Sequence, residues 1–355
     1  MEENVDLEKY RGWLERQGLQ RTPFTLEIIP SLRVGYKHQV TNLLKNIEQQ
    51  QKIVLLIGPT GSGKTTLINH ICANNRKCIF IGKPPRRTEE LIKIADYVLS
   101  DASFLTRLFA KKPTEIHQLP EFLNNNIKRH KVLFIDEAHE ASIEVLEWLR
   151  VISDQTQNLT IIFSALPVFD EILTKNLETL KKRVTEKIEL SALSREETEE
   201  LIRRRIEFAG GKDLGPFTPE SVDYIYQRTG GFPRDVLILC NTLFNLAAEK
   251  NVEKIDRGTI ESSTIPHNKN YSPEKLKGLP EKQKVIIDLL LANEKLTPGE
   301  IAKNTKDYPS EKHALRAINN LLKRMFKEGY LERKKEGKTY IYVLSPQTRT
   351  RMVKA

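Results

Sequence analysis

A glycine-rich run with a phosphate-binding pattern follows a short apolar run near residue 58. The sequence Gly58-Pro-Thr-Gly-Ser-Gly-Lys-Thr65 fits G-x-x-x-x-G-K-[ST]. Its glycines let successive backbone N–H groups point inward at phosphate oxygens, where a Cβ would obstruct them. The lysine can reach the β- and γ-phosphates, and the last hydroxyl can hold Mg²⁺. We predict a nucleoside triphosphate site, rather than a turn that only packs tightly, with the contacts Gly58, Pro59, Thr60, Gly61, Ser62, Gly63, Lys64, Thr65 and Thr66.

A second apolar run ends in two carboxylates. Residues 131–139 read Lys-Val-Leu-Phe-Ile-Asp-Glu-Ala-His, which predicts a strand followed by Asp136 and Glu137. Asp136 can orient Mg²⁺ through its water shell, and Glu137 can polarise the attacking water. Ligands of open α/β sheets bind at the carboxyl ends of strands, so the placement agrees with the phosphate loop. We predict Thr65 and Asp136 as metal residues and Glu137 as the catalytic carboxylate; the alternative is a chance strand end with two acids.

Alternating strands and helices must position these residues. Strands are predicted at residues 53–57, 77–81, 132–135, 160–164 and 187–190. Their near-continuous apolar character fits a parallel sheet covered on both faces, which makes the fold class α/β and doubly wound. Helices are predicted at residues 7–16, 33–50, 194–209, 218–229 and 233–250, with Ser194 and Glu197 as a capping box. The last three helices form a small helical subdomain.

The excess positive charge is concentrated at the C-terminal end. The chain has 355 residues and a formal net charge of +10. Residues 271–355 hold 19 Lys and Arg against 10 Asp and Glu, so nine of the ten excess charges lie there. This asymmetry predicts that the C-terminal segment contacts a polyanion; the alternative is a solubilising surface.

The cysteines and the apolar runs of the sequence indicate the cellular compartment of the protein. Cys72, Cys78 and Cys240 lack the spacing of a metal site and are predicted to be buried, reduced thiols. The first residues lack the features of a signal peptide, and nowhere does an apolar run approach the roughly 18 residues of a membrane span. We expect a soluble cytoplasmic protein with no membrane contact.

Over residues 31–265 the sequence resembles the AAA+ ATPases. The resemblance implies ATP and Mg²⁺ as ligands and an ATP-dependent homo-oligomer, as a ring or filament. It further implies that Val34 and Tyr36 contact adenine and that Ser164 is the sensor-1 residue, which hydrogen-bonds the attacking water. The residues from Asn241 through Ala248 to Asp256 resemble more narrowly the ExeA/TnsC-like ATPases and their replication-initiator relatives.

Two arginines acquire predicted roles from the same resemblance. Arg183, after Leu180-Lys-Lys, takes the arginine-finger position, which completes the site of a neighbouring subunit. Arg234, in Gly230-Gly-Phe-Pro-Arg234, takes the sensor-2 position, which reaches the γ-phosphate from the helical lid. The alternative for Arg183 is an ordinary solvated arginine, and for Arg234 a helix start with a surface arginine.

Another set of motifs imitates a different class. Asp136-Glu-Ala-His139, Ser164-Ala165 and Gln227-Arg-Thr-Gly230 mimic the motifs of DEAH-box helicases. That class requires a second parallel-sheet domain between its last two motifs. Here about sixty residues separate them, and most carry a helical pattern. The helicase interpretation is therefore rejected, and His139 is treated as incidental.

The basic C-terminal segment shows three helical patterns and a hairpin. The helices are predicted at residues 279–292, 297–303 and 310–327, and the hairpin strands at residues 330–334 and 339–344. In the third helix Leu315, Ile318, Leu322 and Met325 form the predicted buried stripe. The segment resembles a winged helix-turn-helix, which implies contact of a helix and a wing with duplex DNA. The predicted contacts are Lys312, Arg316, Asn319, Lys323, Arg333, Lys334, Lys335 and Lys338.

Two questions about binding stay open at this point. A winged helix also serves as a protein dock, and a charged helix face is often simply solvated. The run Lys83-Pro-Pro-Arg-Arg87 follows the second strand, where loops of AAA+ rings often face the central channel. It is either a DNA contact or a solvated turn.

The predicted organisation has six segments. These are an N-terminal arm (1–30), an α/β nucleotide-binding domain (31–190), a helical lid (191–264), a linker (265–276), a winged helix-turn-helix (277–345) and a basic tail (346–355). The predicted function is ATP hydrolysis at subunit interfaces that controls assembly on, or remodelling of, duplex DNA, in replication initiation or loading, recombination or transposition, where a protein partner from the same process is also expected. The alternatives are a ring-shaped DNA translocase with RuvB-like domain order and a signalling or secretion ATPase whose winged helix binds protein.

Overall fold

The chain divides into two compact units in the computed structural model. We call Tyr36–Leu190 the sheet unit, and Met1–Gly35 with Ser191–Ala355 the helical unit. The structure describes residues 2–73, 75, 77–100, 108, 110–261, 278–293, 295–305, 308, 310–336, 339–345, 348–349 and 352. The predicted linker and most of the predicted basic tail lie outside the described residues. The first helix, α1 (Glu2–Arg16), belongs to the helical unit.

Five strands form the sheet, in the order β2-β3-β4-β1-β5, and every pair is parallel. They are β1 (Ile53–Ile57), β2 (Cys78–Ile81), β3 (Lys131–Ile135), β4 (Leu159–Ala165) and β5 (Val184–Glu189). The predicted parallel sheet is thereby confirmed. Strands β1 and β4 are buried throughout, whereas the edge strand β5 is mostly exposed. The expected burial on both faces therefore fails for β5, the strand at one edge of the sheet.

Seven α-helices and three short 3-10 helices, Thr88–Lys93, Ile116–Gln118 and Ala138–Glu140, complete the sheet unit over its described residues. The α-helices are α2 (Lys37–Glu48), α3 (Lys64–Ala73), α4 (Ile94–Ser100), α5 (Leu119–Asn126), α6 (Ile143–Gln155), α7 (Val168–Asn176) and α8 (Glu178–Lys181). The sequence predicted that α2 begins at residue 33, but the helix begins at Lys37. Gly35 and Tyr36 have φ angles of 73° and 58°, and this left-handed backbone cannot continue a right-handed helix.

The strand pairing brings the chemically interesting strand ends to one edge. Leu56 of β1 lies beside Ser164 of β4, and Ile135 of β3 lies beside Phe163. The phosphate loop follows β1, and Asp136 follows β3. Since β4 lies between β1 and β3, side chains from all three strand ends converge there.

The helices of the predicted lid, within the helical unit, are α9 (Arg195–Phe208), α10 (Pro219–Thr229), α11 (Pro233–Glu249) and α12 (Arg257–Glu261). Ser194 and Glu197 form the predicted capping box at the start of α9. The N-terminal segment packs into this bundle. Trp13 is 1% exposed, its ring lies 4.8 Å from that of Phe244, and its indole N–H donates to the Val252 carbonyl at 2.8 Å. The segment predicted as an arm thus contributes to the apolar core of the helical unit.

The C-terminal part contains α13 (Glu281–Ala292), α14 (Pro298–Lys303), α15 (Glu311–Lys327) and the antiparallel strands β6 (Leu331–Glu336) and β7 (Thr339–Leu344). A separate apolar core holds it together and includes Ile286, Ile301 and Leu322. The prediction that Leu315 is buried is wrong, because it is 41% exposed while Ala314 is 4% exposed. Ala314 precedes Ile318 and Leu322 at four-residue spacing, so it occupies the inward stripe of α15.

The three cysteines differ in burial. All three thiols are free, and Cys240 is buried as predicted. The predicted burial of Cys72 and Cys78 is wrong, since both are half-buried, near the end of α3 and at the start of β2. Within the described part of the chain, every helix is too short or too polar to cross a membrane.

Candidate nucleotide site

The phosphate loop has a backbone that its glycines make possible. Gly61 and Gly63 have φ angles of 78° and 90°, which side chains with a Cβ rarely adopt. A Cβ on Gly58 would lie 2.7 Å from the Ser62 hydroxyl oxygen and 2.9 Å from the Leu190 carbonyl oxygen. The loop is therefore a tight cradle that ends where α3 begins at Lys64.

Two polar groups of the loop fit an anionic ligand. The Lys64 ammonium is held inside the loop, where Nζ donates to the carbonyls of Gly58 at 2.7 Å and Pro59 at 3.2 Å. The Ser62 hydroxyl is buried and has no hydrogen-bond partner among the residues that the structure describes. A buried hydroxyl without a partner costs about 1–3 kcal/mol, and a phosphate oxygen would satisfy it. On this observation the residues present fit a bound triphosphate.

Asp136 lies at the centre of the carboxylate side of the site. It is 2% exposed, and its Oδ2 accepts a hydrogen bond from Thr65 Oγ1 at 2.5 Å. Its Oδ1 accepts from Ser164 Oγ at 2.6 Å and from the Glu137 backbone N–H at 3.0 Å. A hydroxyl and a carboxylate in contact are hard oxygen ligands of the kind that Mg²⁺ prefers, so these residues fit that ion as well.

Ser164 has a partner that the sequence did not predict. Its side chain is fully buried, and its hydroxyl orients Asp136. The contact joins residues that are 28 positions apart, and it follows from the pairing of β3 with β4. A direct contact of Ser164 with the attacking water stays a prediction.

Glu137 takes an unusual backbone conformation. Its φ of 53° lies in the left-handed region, which costs a non-glycine residue about 1–2 kcal/mol. A short turn, Ala138–Glu140, follows, with the Glu140 N–H donating to the Glu137 carbonyl at 2.8 Å. The Glu137 side chain is 41% exposed, and its Oε2 lies 3.5 Å from His139 Nε2. The structure thus gives His139, treated as incidental above, a contact with the predicted catalytic carboxylate.

The other residues predicted for this site have varied surroundings. Arg183 is 52% exposed, and its Nε donates to Asp154 Oδ1 at 2.9 Å. This hydrogen bond raises the pKa of the guanidinium. Arg234 is exposed near the start of α11, and Val34 is half-buried; both belong to the helical unit. Tyr36, in the sheet unit, is 8% exposed. The roles of these four residues in nucleotide binding stay predictions.

The residues predicted to contact DNA are largely solvent-accessible. The exposed ones are Lys312, Arg316, Lys323, Lys334 and Lys335, and Asn319 is half-buried. Arg333 differs from them, because its guanidinium lies between the rings of Phe326 and Tyr340, at 4.5 and 4.4 Å. Lys338 lies outside the described residues.

The loop Lys83–Arg87 follows β2 and is tied to acidic side chains. Lys83 Nζ lies 3.1 Å from Glu140 Oε2, and Arg87 Nε lies 4.0 Å from Glu90. These are exposed pairs of small energetic value. The geometry leaves both interpretations of the loop open.

The fold and the site together define a class of protein. A parallel five-stranded sheet with a phosphate loop after β1 and acids after β3 is the AAA+ P-loop NTPase fold. In agreement, the AAA domain family matches residues 47–173 of the chain. The predicted fold class is confirmed for this part. An AAA domain is in general a module that binds and hydrolyses nucleotides.

Comparison with individual proteins gives distant relatives. An uncharacterized HTH-type transcriptional regulator of Methanocaldococcus jannaschii is 25% identical over 240 residues, which are 64% of this chain and 57% of that protein. General secretion pathway protein A of Aeromonas hydrophila is 24% identical over 264 residues, which are 68% of this chain and 46% of that protein. The chain therefore spans about half the length of these relatives.

A solved structure supports the fold over almost the whole chain. The ORC2 protein of Aeropyrum pernix, determined as ADPNP–ADP complexes, has a TM-score of 0.53 to this structure at 15% identity. The match covers 95% of this chain and 96% of that chain. At this identity the likeness concerns the fold alone.

Proposed function

We propose that this protein is a Mg²⁺-dependent ATPase that uses ATP binding and hydrolysis to control its assembly on, or its remodelling of, duplex DNA. The observation that carries the ATPase half is the hydrogen-bonded pair of Thr65 and Asp136 beside the phosphate loop. A P-loop hydroxyl and a strand-end carboxylate in contact are the two protein groups that P-loop NTPases use to hold Mg²⁺. Bound Mg²⁺ neutralises charge on the phosphates.

The chain's own residues have distinct tasks in this proposal. When ATP binds, the Lys64 ammonium donates to phosphate oxygens instead of the carbonyls of Gly58 and Pro59. It thereby compensates the negative charge of the phosphates. Thr65 and Asp136 orient the metal, and Ser164 holds the Asp136 carboxylate in place. Glu137 accepts a proton from the attacking water as general base. Its partial exposure agrees with this task, because the carboxylate must reach a water molecule.

The DNA-binding half rests on charge and on a relative. Nearly all the excess charge of the chain lies in residues 271–355, and exposed lysines and arginines occupy both α15 and the hairpin β6–β7. Three helices followed by a two-stranded hairpin also match the order of elements in a winged helix-turn-helix. The name of the Methanocaldococcus relative, an HTH-type transcriptional regulator, favours the same assignment.

Assembly and location complete the proposal. Arg183 acts as an arginine finger in a neighbouring subunit, where it leaves Asp154 and stabilises charge on the γ-phosphate. Arg234 senses nucleotide from the lid, and Val34 and Tyr36 contact adenine. We place the protein in the cytoplasm, as a homo-oligomer.

A second candidate has a specific observation in its favour. The relative from Aeromonas hydrophila is named General secretion pathway protein A. An ATPase whose C-terminal module binds a protein partner is therefore the main rival. Its charged helix face would then meet an acidic protein surface instead of phosphates.

A binding experiment separates the two candidates. Fluorescence anisotropy with a labelled 30-base-pair duplex is measured with and without Mg²⁺-ATP, and hydrolysis is followed by phosphate release. The proposal expects duplex binding together with Mg²⁺-dependent hydrolysis. Hydrolysis without any duplex binding at low salt would reject the DNA half and favour the rival, whereas the absence of hydrolysis would reject the ATPase half.

A further inference from the structure

The imidazole of His139 lies between two strand ends that border the candidate site. Its Nε2 is 3.5 Å from Glu137 Oε2, just beyond β3. Its Nδ1 accepts a hydrogen bond, at 3.5 Å, from the backbone N–H of Leu166, just beyond β4. The ring is 14% exposed, so it occupies a defined place and is not a freely moving surface side chain.

The hydrogen-bond partners determine which nitrogen carries the proton. A backbone N–H can only donate, so Nδ1 must accept and cannot carry hydrogen in the neutral ring. The hydrogen of neutral His139 therefore lies on Nε2, which faces the Glu137 carboxylate and can donate to it. The main chain at Leu166 thus specifies a tautomer that presents a donor to Glu137.

The local backbone explains how residue 139 reaches residue 137. Glu137 is left-handed, and the short turn Ala138–Glu140 folds the chain back so that the imidazole lies alongside the carboxylate. Ala138 is fully buried and anchors this turn. The strained backbone at Glu137 therefore belongs to the same turn that brings His139 next to the Glu137 carboxylate.

Both acids after β3 are consequently tied to the end of β4. Ser164 orients Asp136 directly, and Leu166 orients Glu137 through His139. The contacts of His139 with Leu166 and Glu137 are both long, and catalytic hydrogen bonds often shorten when substrate is bound.

We propose that His139 is a positioning residue for Glu137, which it holds as a neutral imidazole with the proton on Nε2. The inference rests on the proposed function, since it needs Glu137 to be the general base. His139 neither binds nucleotide nor exchanges a proton with it. It restricts the carboxylate to orientations from which it accepts a proton from water.

The test compares substitutions at His139 in the full-length protein. A general base contributes about 10²–10⁴-fold to the rate, so loss of its positioning should lower kcat by a smaller factor, about tenfold. His139→Ala should therefore lower kcat about tenfold and leave ATP affinity and the melting temperature almost unchanged. His139→Gln should restore most of the rate, because its amide offers an acceptor to Leu166 and a donor to Glu137. The matched control is His117→Ala, which removes an exposed histidine from the same unit.

A double-mutant cycle gives the decisive readout. If His139 acts through Glu137, then His139→Ala should have no further effect on single-turnover hydrolysis in a Glu137→Gln background. An equal drop in rate in both backgrounds, or a His139→Ala variant with wild-type kcat, would overturn the inference. These outcomes differ from failure of the proposed function, which would appear as normal hydrolysis by Glu137→Gln alone.

Discussion

In the proposed function, Lys64 serves nucleotide binding and Glu137 serves hydrolysis. The Lys64 ammonium lies inside the phosphate loop, whereas the Glu137 carboxylate lies beyond β3 and is partly open to solvent. Lys64→Ala should weaken ATP affinity at least about tenfold, because the phosphate charge loses its compensation. Glu137→Gln should bind ATP normally and hydrolyse it about 10²–10⁴-fold more slowly. Calorimetric binding and single-turnover hydrolysis measure the two properties separately.

The control for this prediction comes from the same turn. Glu140 is an exposed carboxylate paired with Lys83, so Glu140→Gln should change hydrolysis by no more than about twofold. Normal hydrolysis by Glu137→Gln would remove that residue as the base.

At the residue scale, what the sequence could predict was decided by distance along the chain. The phosphate loop is a continuous run of residues whose types and spacing carry its meaning. The contact of Thr65 with Asp136 joins residues 71 positions apart, but two separate motifs had assigned both residues to one predicted metal site. The contacts of Ser164 with Asp136 and of His139 with Leu166 had no such signal, because they depend on which strands become neighbours and on the turn after Glu137.

At the scale of elements, the turn after α8 contains Arg183, the predicted arginine finger. Arg183 is exposed and paired with Asp154 of its own chain. If it completes a neighbour's site, Arg183→Ala should bind ATP but lose hydrolysis, and mixtures with Lys64→Ala protein should regain part of it. A mixed interface in which the Arg183→Ala subunit supplies the phosphate loop and the Lys64→Ala subunit supplies the finger then contains both intact groups. Steady-state hydrolysis of mixtures at several ratios provides the measurement.

Lys182→Ala is the matched control for the finger. Lys182 is the neighbouring exposed cation and pairs with Glu178, so its removal should leave turnover nearly unchanged. Mixtures that stay inactive although both variants assemble would show that Arg183 is not the finger.

A charged cluster joins the lid helices to the C-terminal module within the helical unit. Arg349 donates a hydrogen bond to Asp235 in α11 and lies 4.2 Å from the Phe232 ring centroid. Nearby, Arg228 lies 3.5 Å from Glu332 of β6. Burial raises the pKa of both Asp235 and Glu332, and the arginines oppose that rise.

This cluster predicts a pH-dependent stability defect. A carboxyl whose pKa is raised by folding contributes stability below its unfolded pKa, and that contribution is lost as the pH rises through the folded value. Arg349→Gln should raise the Asp235 pKa further and lower the free energy of unfolding by about 1–3 kcal/mol at pH 7. The defect should shrink as the pH falls through the raised pKa of Asp235, because the protonated carboxyl no longer needs the arginine.

Chemical denaturation at several pH values measures this defect. Arg324→Gln is the control, because Arg324 pairs with Glu328 on an exposed helix face and its removal should cost about 0–1 kcal/mol at any pH. If Arg349→Gln lowers the free energy of unfolding equally at pH 4 and pH 7, the stability defect does not depend on ionisation of the Asp235 carboxyl.

Elements with local signals were predicted closely, and those set by tertiary contacts were not. The capping residues Ser194, Thr297 and Ser310 each precede the helix that the sequence predicted. The start of α2 was missed because the left-handed backbone at Gly35 and Tyr36 has no sequence signature of its own. The packing of residues 1–30 onto the lid helices was missed because it joins Trp13 to Phe244, far along the chain.

At the scale of the whole molecule, the asymmetric charge predicts a salt-dependent grip on DNA. Lys334 and Lys335 are exposed on β6 near the turn of the hairpin. Replacing both by alanine should weaken duplex binding and reduce the slope of log affinity against log salt by about 0.9 for each phosphate that the protein no longer neutralises. Anisotropy titrations from 50 to about 200 mM salt give the slope.

The control for the slope removes equal charge from the other unit. Lys175 and Lys182 are exposed lysines of the sheet unit, each paired with a glutamate. Their replacement by alanine should leave the slope unchanged. An unchanged slope in the hairpin variant would mean that the hairpin does not contact phosphates, and the loop Lys83–Arg87 would become the leading candidate.

In the proposed function, ATP hydrolysis at the phosphate loop is coupled to the binding of duplex DNA. The most direct measurement is the steady-state rate of ATP hydrolysis by the wild-type protein as duplex DNA is titrated in. The rate of the Lys64→Ala variant is measured in parallel and subtracted. Turnover should rise to saturation with DNA, and this rise should disappear when Arg316 and Lys323 are replaced by alanine. A wild-type rate that stays constant at every DNA concentration, in protein that hydrolyses ATP through Lys64, would contradict this coupling.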